Sequence, residues 1–416
     1  MRPLIATFRS LSGFNYRLWA GGALVSNVGT WMQRTAQDWL VLTGLTDHNA
    51  TAVGSVMALQ FGPRVLLLPL TGYAADRFEL RKLLYVTQGL LALLALGLGL
   101  LTLGGSIQLW HVHLFALGLG CVTAFDAPAR QAFVSELVEP DQLPSAVGLN
   151  STSFNAARMI GPAVAGVLIA GVGTGWVFLL NAASFVAVLL SLTQIRAAEL
   201  QPRRSGHPPS KLFDGFVYVW KYRELRGVML MFCIIGTFAL NLPIFVSTMS
   251  AVTFGRGAGE YGLATSVMAV GSVIGALFVA SQSFPSVRRL SLSCAAMACA
   301  FALASLAPSY LTFCAALVLV GGSVQSFTTG ANSFIQLNTE PAMRGRVLAI
   351  MIAVALGTTP VGAPLVGWIA DHLSPRWSLG VGALAGLFTA GLGAHYLRAP
   401  EAGSGAPARS TPPRKR

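Results

Sequence analysis

Charge is what this chain has least of. Only 10% of its 416 residues are Asp, Glu, Lys or Arg, against about 25% in soluble proteins, which excludes an ordinary water-exposed globule. Acids are scarcer than bases, 15 against 28. No G-x-x-x-x-G-K-[ST] loop exists to cradle a nucleotide phosphate, so the sequence offers no means of ATP hydrolysis. Neither H-E-x-x-H nor G-x-S-x-G occurs. The six histidines (His48, His111, His113, His207, His372, His395) lie in loops or towards the ends of apolar runs, where none can activate a serine in mid-membrane. The five cysteines (Cys121, Cys233, Cys294, Cys299, Cys314) sit in apolar runs without CxxC or CxxH spacing. They read as packing residues, giving neither a disulfide framework nor a metal site. The expectation is a non-enzyme with no catalytic residue, cofactor or metal. No short apolar core with a small-residue cleavage site precedes Arg17, so a removable signal peptide is not expected either.

What the chain has is apolar length. Hydrophobic residues make up 54% and mean hydropathy is +0.64. The apolar residues come in stretches long enough for a bilayer core, about 20 residues each. Twelve spans are predicted, at 18–43, 51–74, 83–104, 109–131, 146–170, 175–195, 227–252, 260–282, 289–307, 310–335, 346–370 and 377–397. With both termini on one side, that side's loops hold 23 of the 28 Lys and Arg; the opposite side holds Arg256 and Arg376. This positive-inside bias predicts cytoplasmic N- and C-termini in a multi-pass membrane protein. The net charge of +13 is thus a topology signal, and no nucleic-acid partner is expected.

Between Arg196 and Arg226 the pattern breaks into the polar, basic run QPRRSGHPPSK and an amphipathic segment. The expected organisation is a six-helix bundle at 1–195, a cytoplasmic linker at 196–226, a second bundle at 227–397 and a disordered basic tail at 398–416. A shift of 201 residues lays Phe133 on Phe334, Glu139-Pro140 on Glu340-Pro341, and GPAVAG (161–166) on GAPLVG (362–367). Matches at a single offset favour duplication. The fold class is all-α integral membrane, two pseudo-symmetric six-helix bundles with a site at their interface, an architecture of secondary transporters.

Charges inside the spans narrow the site. At about 100° per residue, Ser26, Asn27, Thr30, Gln33, Arg34, Gln37 and Asp38 share one arc of the first span. A lipid-exposed arginine in mid-membrane costs at least about 2.5–3.5 kcal/mol, so this arc faces protein or a hydrated cavity. Arg34 and Asp38, four residues apart, are placed to form an ion pair. The pair is open to two readings, an architectural salt bridge or a proton-linked carboxylate with Arg34 as its modulator. Gln60 and Arg64 lie one turn apart on the second span; Ser151, Asn155, Arg158 and Pro162 form a stripe on the fifth. The second half offers uncharged Asn241, Gln325, Thr328, Asn332 and Gln336. The arginines either bond carbonyls opened by nearby prolines or bind an anionic, oxygen-rich substrate. The expected cavity set is Gln33, Gln37, Gln60, Arg64, Asn155, Arg158, Asn241, Gln325 and Asn332.

After the second span, GYAADRFELRK resembles the signature between the second and third helices of the major facilitator superfamily, with Glu79 in place of its second glycine. The resemblance implies an inner gate built from Gly72, Asp76, Arg77 and Arg81. Asp126, with Arg130 one turn on, would be the charge partner at the end of the fourth span. AFDAPARQAFVSELV (124–138) and GLNSTSFNAARMIGPAVAG (148–166), with GTWMQRTAQDWLVL (29–42), resemble the branch holding enterobactin-exporter-like and drug-efflux proteins. Gly161, Pro162 and Gly166 resemble the fifth-helix antiporter pattern, a proline-kinked helix whose small residues let the halves pack closely. Where many proton-driven relatives carry a fourth-helix arginine, this chain has Leu114 beside His113. The resemblance implies a proton-coupled exporter of a small organic molecule, siderophore or drug-like, in contact with lipid and independent of ATP. An importer on the same fold and a non-transporting sensor are the alternatives.

Overall fold

The computed structural model describes residues 9–67, 70–71, 74, 77–202, 212–282 and 285–398. Among the described residues every regular element is helical. Ten helices among them are long and apolar enough to cross a membrane. Two more complete the twelve. Helix α1 (Phe14–Trp39) continues through a π-helical turn, Leu40–Leu45, and its hydropathy is lowered by its polar arc. Helix α2 (Ala50–Leu66) has 17 residues with Pro63 inside it.

The first half continues with α3 (Leu80–Leu103), α4 (Leu109–Leu137), α5 (Leu143–Val172) and α6 (Thr174–Gln194). A short amphipathic helix, α7 (Leu212–Lys221), follows. The seventh crossing is broken into α8 (Arg223–Phe238) and α9 (Leu242–Thr248). Pro243 lies in the first turn of α9, where its missing N–H costs least. Asn241 donates its side-chain amide to the Thr237 carbonyl freed at the break, at 2.7 Å. Then come α10 (Ala258–Ala280), α11 (Val287–Ser305) and α12 (Tyr310–Asn338). The eleventh crossing is also broken, into α13 (Pro341–Gly357) and α14 (Thr359–His372), with Pro360 in the first turn of α14. Helix α15 (Pro375–Arg398) ends the described chain.

Two span ends differ from expectation in a way that matters. Helix α4 runs to Leu137 and α13 begins at Pro341, so Arg130, Arg344 and Arg346 are helical residues and not loop residues. The reason is physical: their flanks are held by protein rather than lipid, and the helix outlasts the apolar run. The expected basic tail, from 399 onward, lies outside the described residues, as does 203–211 of the linker.

Within the first half α1 packs on α5 and α6, α3 on α4 and α6, and α2 on α4; within the second, α10 and α11 pack on α12, and α8 and α11 on α15. Helix α7 rests on α13, where Arg346 lies 3.5 Å from Asp214 and the Glu340 amide donates to the Tyr218 hydroxyl at 3.3 Å. The halves meet along two seams, α2 against α14 and α5 against α10. Both are closed by glycine at the end away from the termini. A Cβ on Gly367 would sit 2.5 Å from the Ala50 carbonyl oxygen, and one on Gly166 would sit 2.7 Å from that of Ala258. These glycines are the two related by the 201-residue shift, so the duplicated motif serves equivalent seams.

Towards the other end the facing helices part. Leu66 is 81% exposed, Ser151, Thr152, Asn155 and Gln336 are exposed, and a Cβ on Gly148 or Gly345 would meet nothing within 4 Å. The twelve crossings put Arg9 and Arg398 at this open end.

A cationic site between the halves

The cleft narrows at a row of arginines and aromatic rings. Arg34 on α1 lies 5.0 Å from the Trp31 ring centroid and 6.0 Å from that of Phe61. Arg64 on α2 is 5.0 Å from Phe61, and Arg158 on α5 is 5.8 Å from Trp31. The order is therefore Arg158, Trp31, Arg34, Phe61, Arg64, alternating cation and ring across three helices. Trp31 is fixed in turn by an edge contact with Phe154, centroids 5.7 Å apart. From the second half, Gln325 on α12 accepts from Arg158 at 3.5 Å and donates to Thr329 at 2.9 Å. All three arginines are half-buried.

Arg34 and Asp38 share a face but form no ion pair in this conformation, contrary to the expectation. Asp38 lies one turn closer to the closed end, 7% exposed, and its carboxylate accepts from the Tyr261 hydroxyl of α10 at 3.4 Å. Trp39 stacks on the Tyr261 ring at 5.6 Å. The guanidinium of Arg34 points the other way, over the rings facing the cleft, with its Nε unpartnered. The acid thus belongs to the seam and the base to the cleft.

Asn155, at the cleft wall, donates to the Ser151 carbonyl at 2.9 Å. Asn332 is half-buried and pairs with Gln336. Four expected cavity residues are instead withdrawn from the cleft. Gln33 is buried and accepts from Asn181 of α6 at 2.5 Å; Gln37 and Gln60 are buried; Asn241 is fully buried at the α8–α9 break. Helical phase put Gln33 and Gln37 on the polar arc of α1 and Gln60 one turn from Arg64 on α2, but α6 covers part of that arc and α4 packs on α2 beside Gln60.

Asp126 also departs from expectation. It lies inside α4, 5% exposed, not at a helix end. It accepts from Thr87 at 2.7 Å and Gln88 at 2.6 Å and pairs with Arg130 at 2.9 Å. Arg130 further donates to Ser26 at 3.1 Å and to Gln88 at 2.9 Å. Arg81 donates to the Leu192 carbonyl at the C-terminal end of α6, at 2.7 Å, where helix carbonyls lack partners. These contacts stay within the first half. Arg77 is exposed; Gly72 and Asp76 lie outside the described residues. Gly161 abuts Trp31 and Val28 of α1, while Gly166 and the Pro162 carbonyl abut α10 at the seam.

Sequence reasoning missed two seam residues. Tyr261 carried no signal beyond being an aromatic in an apolar run. Asp371, at the end of α14, was not singled out at all, yet it spans the halves. Its carboxylate accepts from the Ala50 and Thr51 amides at 2.6 and 2.8 Å and from the Thr51 hydroxyl at 2.6 Å. Asn49 caps the next amide, Ala52, at 2.8 Å. A free amide at a helix start is the signal that a distant acid can answer. His113, too, has a partner, Ser55 of α2 at 2.7 Å.

Twelve crossings, two halves related by a glycine motif and a polar centre between them define a multi-pass membrane transporter of small molecules, of the major facilitator superfamily. The chain belongs to the family described as transmembrane secretion effector, whose model matches residues 6–414. It is 27% identical over 349 residues to the staphyloferrin A transporter of Staphylococcus aureus (strain NCTC 8325 / PS 47), covering 83% of this chain and 86% of that one. It is 26% identical over 331 residues to the enterobactin exporter EntS of Shigella boydii serotype 18 (strain CDC 3083-94 / BS512), 79% of each. In fold it is similar to a bacterial homologue of the human lysosomal transporter Spinster, crystallised inward-facing and occupied, with TM-score 0.72 and 13% identity over 92% of this chain and 96% of that one.

Proposed function

We propose that this chain exports a small organic molecule, siderophore or drug-like, across the bacterial inner membrane in exchange for protons, by alternating access. In this reading residues 1–195 and 227–397 are the moving halves, joined by the linker 196–226, with both termini cytoplasmic. The open end then faces the cytoplasm, where substrate enters. The two relatives, a staphyloferrin A transporter and an enterobactin exporter, support the substrate class.

The observation that carries the coupling is the Asp38–Tyr261 contact between α1 and α10. A proton carrier must meet water on one side at a time. Asp38 is covered while this seam is shut, and parting the seam would break its hydrogen bond to the other half and bring it to the outer side. Proton uptake there removes the charge that must otherwise be buried again on closure, and an uncharged carboxyl is far cheaper to bury. Once the seam has shut, the proton leaves Asp38 towards the cleft, on the side of Arg34 one turn away, so that uptake and release fall on opposite sides of the membrane. The inner gate is assigned to Gly72, Asp76, Arg77, Arg81, Asp126 and Arg130.

Everted membrane vesicles test this. An imposed inward-acid gradient should drive substrate accumulation in the wild type, and Asp38→Asn should abolish it while the protein stays folded and membrane-inserted. Full coupled flux in Asp38→Asn removes this acid from the mechanism; accumulation confined to right-side-out vesicles makes the protein an importer.

A further inference from the structure

We infer that the row formed by Arg158, Trp31, Arg34, Phe61 and Arg64 is the substrate site and that it takes an organic polyanion, a molecule with at least two separated oxyanion groups on or beside planar carbon frames. The inference rests on the exporter reading only in treating the cleft as the substrate path.

The argument is one of unmet capacity. Two arginines outside the cleft show what a satisfied one looks like in this chain. Arg130 has an acid at 2.9 Å plus Ser26 and Gln88, and Arg81 closes the end of α6 on two carbonyls, Leu192 and Thr193. The three cleft arginines are not satisfied in that way. A guanidinium has five N–H donors and no acceptor. Arg158 has one long bond, 3.5 Å to Gln325. Arg64 donates one, to the Thr123 hydroxyl at 3.1 Å. Arg34 leaves a buried Nε unpartnered. None of the three pairs with an acid among the described residues.

Three cations in one membrane-embedded cleft repel one another, and a hydrated cleft does not relieve that fully. Asp38 supplies one negative charge nearby, but it is directed into the seam. The Asp126–Arg130 pair is neutral as a unit. The local excess is therefore about two positive charges, which a ligand with two or more negative charges would balance. The rings add shape. Arg34 shares Trp31 with Arg158 and Phe61 with Arg64, so each gap between guanidiniums is floored by an aromatic face. Such spacing suits oxyanions forked by arginine and joined through a planar frame. Gln325 brings the second half to the same point, so a ligand seated here touches both halves and can bias their opening.

Trimesate (benzene-1,3,5-tricarboxylate) serves as the probe and its trimethyl ester as the uncharged control, titrated into purified wild-type protein in nanodiscs by calorimetry. Trimesate should bind saturably, tighter than about 1 mM, while the ester should bind at least tenfold more weakly, about 1.4 kcal/mol. Arg34→Gln, Arg64→Gln and Arg158→Gln should each weaken trimesate by about 10–100-fold, the range for losing hydrogen bonds to a charged partner, whereas Arg17→Gln, exposed on α1, should not. Equal binding of acid and ester, or no trimesate binding by the wild type, overturns the proposal without recourse to any variant. Retained affinity in all three folded variants overturns the assignment to this row. Binding is read with no gradient imposed, so its failure is separate from a failure of proton-driven flux, which bears on the exporter reading alone.

Discussion

Removing the Asp371 carboxylate would free three donors at the first turn of α2: the Ala50 amide, the Thr51 amide and the Thr51 hydroxyl, now held at 2.6, 2.8 and 2.6 Å. The first turn of a helix has no internal partners for its amides and carries a partial positive charge. A hydrogen bond to a charged group contributes about 1.5–3 kcal/mol where water is excluded. Asp371 is exposed and Thr51 half-buried, so water replaces much of what is lost, and the three together are worth about 1.5–2.5 kcal/mol by the measure of rim charges. Asp371→Ala should shift the equilibrium between shut and parted seams by about 10–70-fold. The assay is pulsed dipolar spectroscopy in a cysteine-free background, with spin labels at Asp47 and Leu373, exposed positions close to the two sides of the α2–α14 seam. The variant should gain a population at longer distance; Asp371→Asn, which keeps a carbonyl acceptor, should show an intermediate effect. An unchanged distance distribution in Asp371→Ala would refute the latch.

Gly166→Val forces a branched side chain against the Ala258 carbonyl, for which overpacking costs about 1–3 kcal/mol; it should part the α5–α10 seam in the same experiment, while Gly148→Val, in open space, should not. Asp126→Asn leaves Arg130 without its charge partner. Loss of a buried partner costs about 3–5 kcal/mol when nothing else holds the survivor, and less here because Ser26 and Gln88 remain. A lower melting temperature and more cysteine labelling from the side of the termini are expected; if both are unchanged, Asp126 has no part in holding that end together.

The spans were legible because lipid imposes a strict length and a strict apolarity, and the glycines because close helix approach tolerates little else. Span ends were less so. Arg130 terminates an apolar run, and nothing local says that Ser26 and Gln88 wait across the bundle to accept from it. Helical phase correctly grouped Arg34 with Asp38, yet phase cannot tell which neighbour covers which part of an arc. Gln33 turned to Asn181, and Asp38 turned to Tyr261, 223 residues away. The three cleft arginines were readable as a set because each is costly in lipid. Asp371 was not, since an acid at a helix end costs nothing in water and its partners are backbone amides, which every sequence has.

The two seams share a frame but not a polar contact. The 201-residue shift lays Asp371 on Ala170, so the acid tying α14 to α2 has no twin on α5; beside the other seam the contact is buried, between Asp38 of α1 and Tyr261 of α10. If each half moves as a body, as in rigid-body switching, both contacts bias a single equilibrium. The free-energy effects of Asp371→Ala and Tyr261→Phe should then add, because the sites share no partner, and labels across either seam should report the same populations. Salt separates their origins: at physiological ionic strength exposed charges are screened beyond about 8 Å, so the Asp371 contribution should shrink as salt rises while that of the buried Tyr261 contact holds. A seam that opens without the other would mean fraying of helix ends, and a rocking mechanism would then have no support from these contacts.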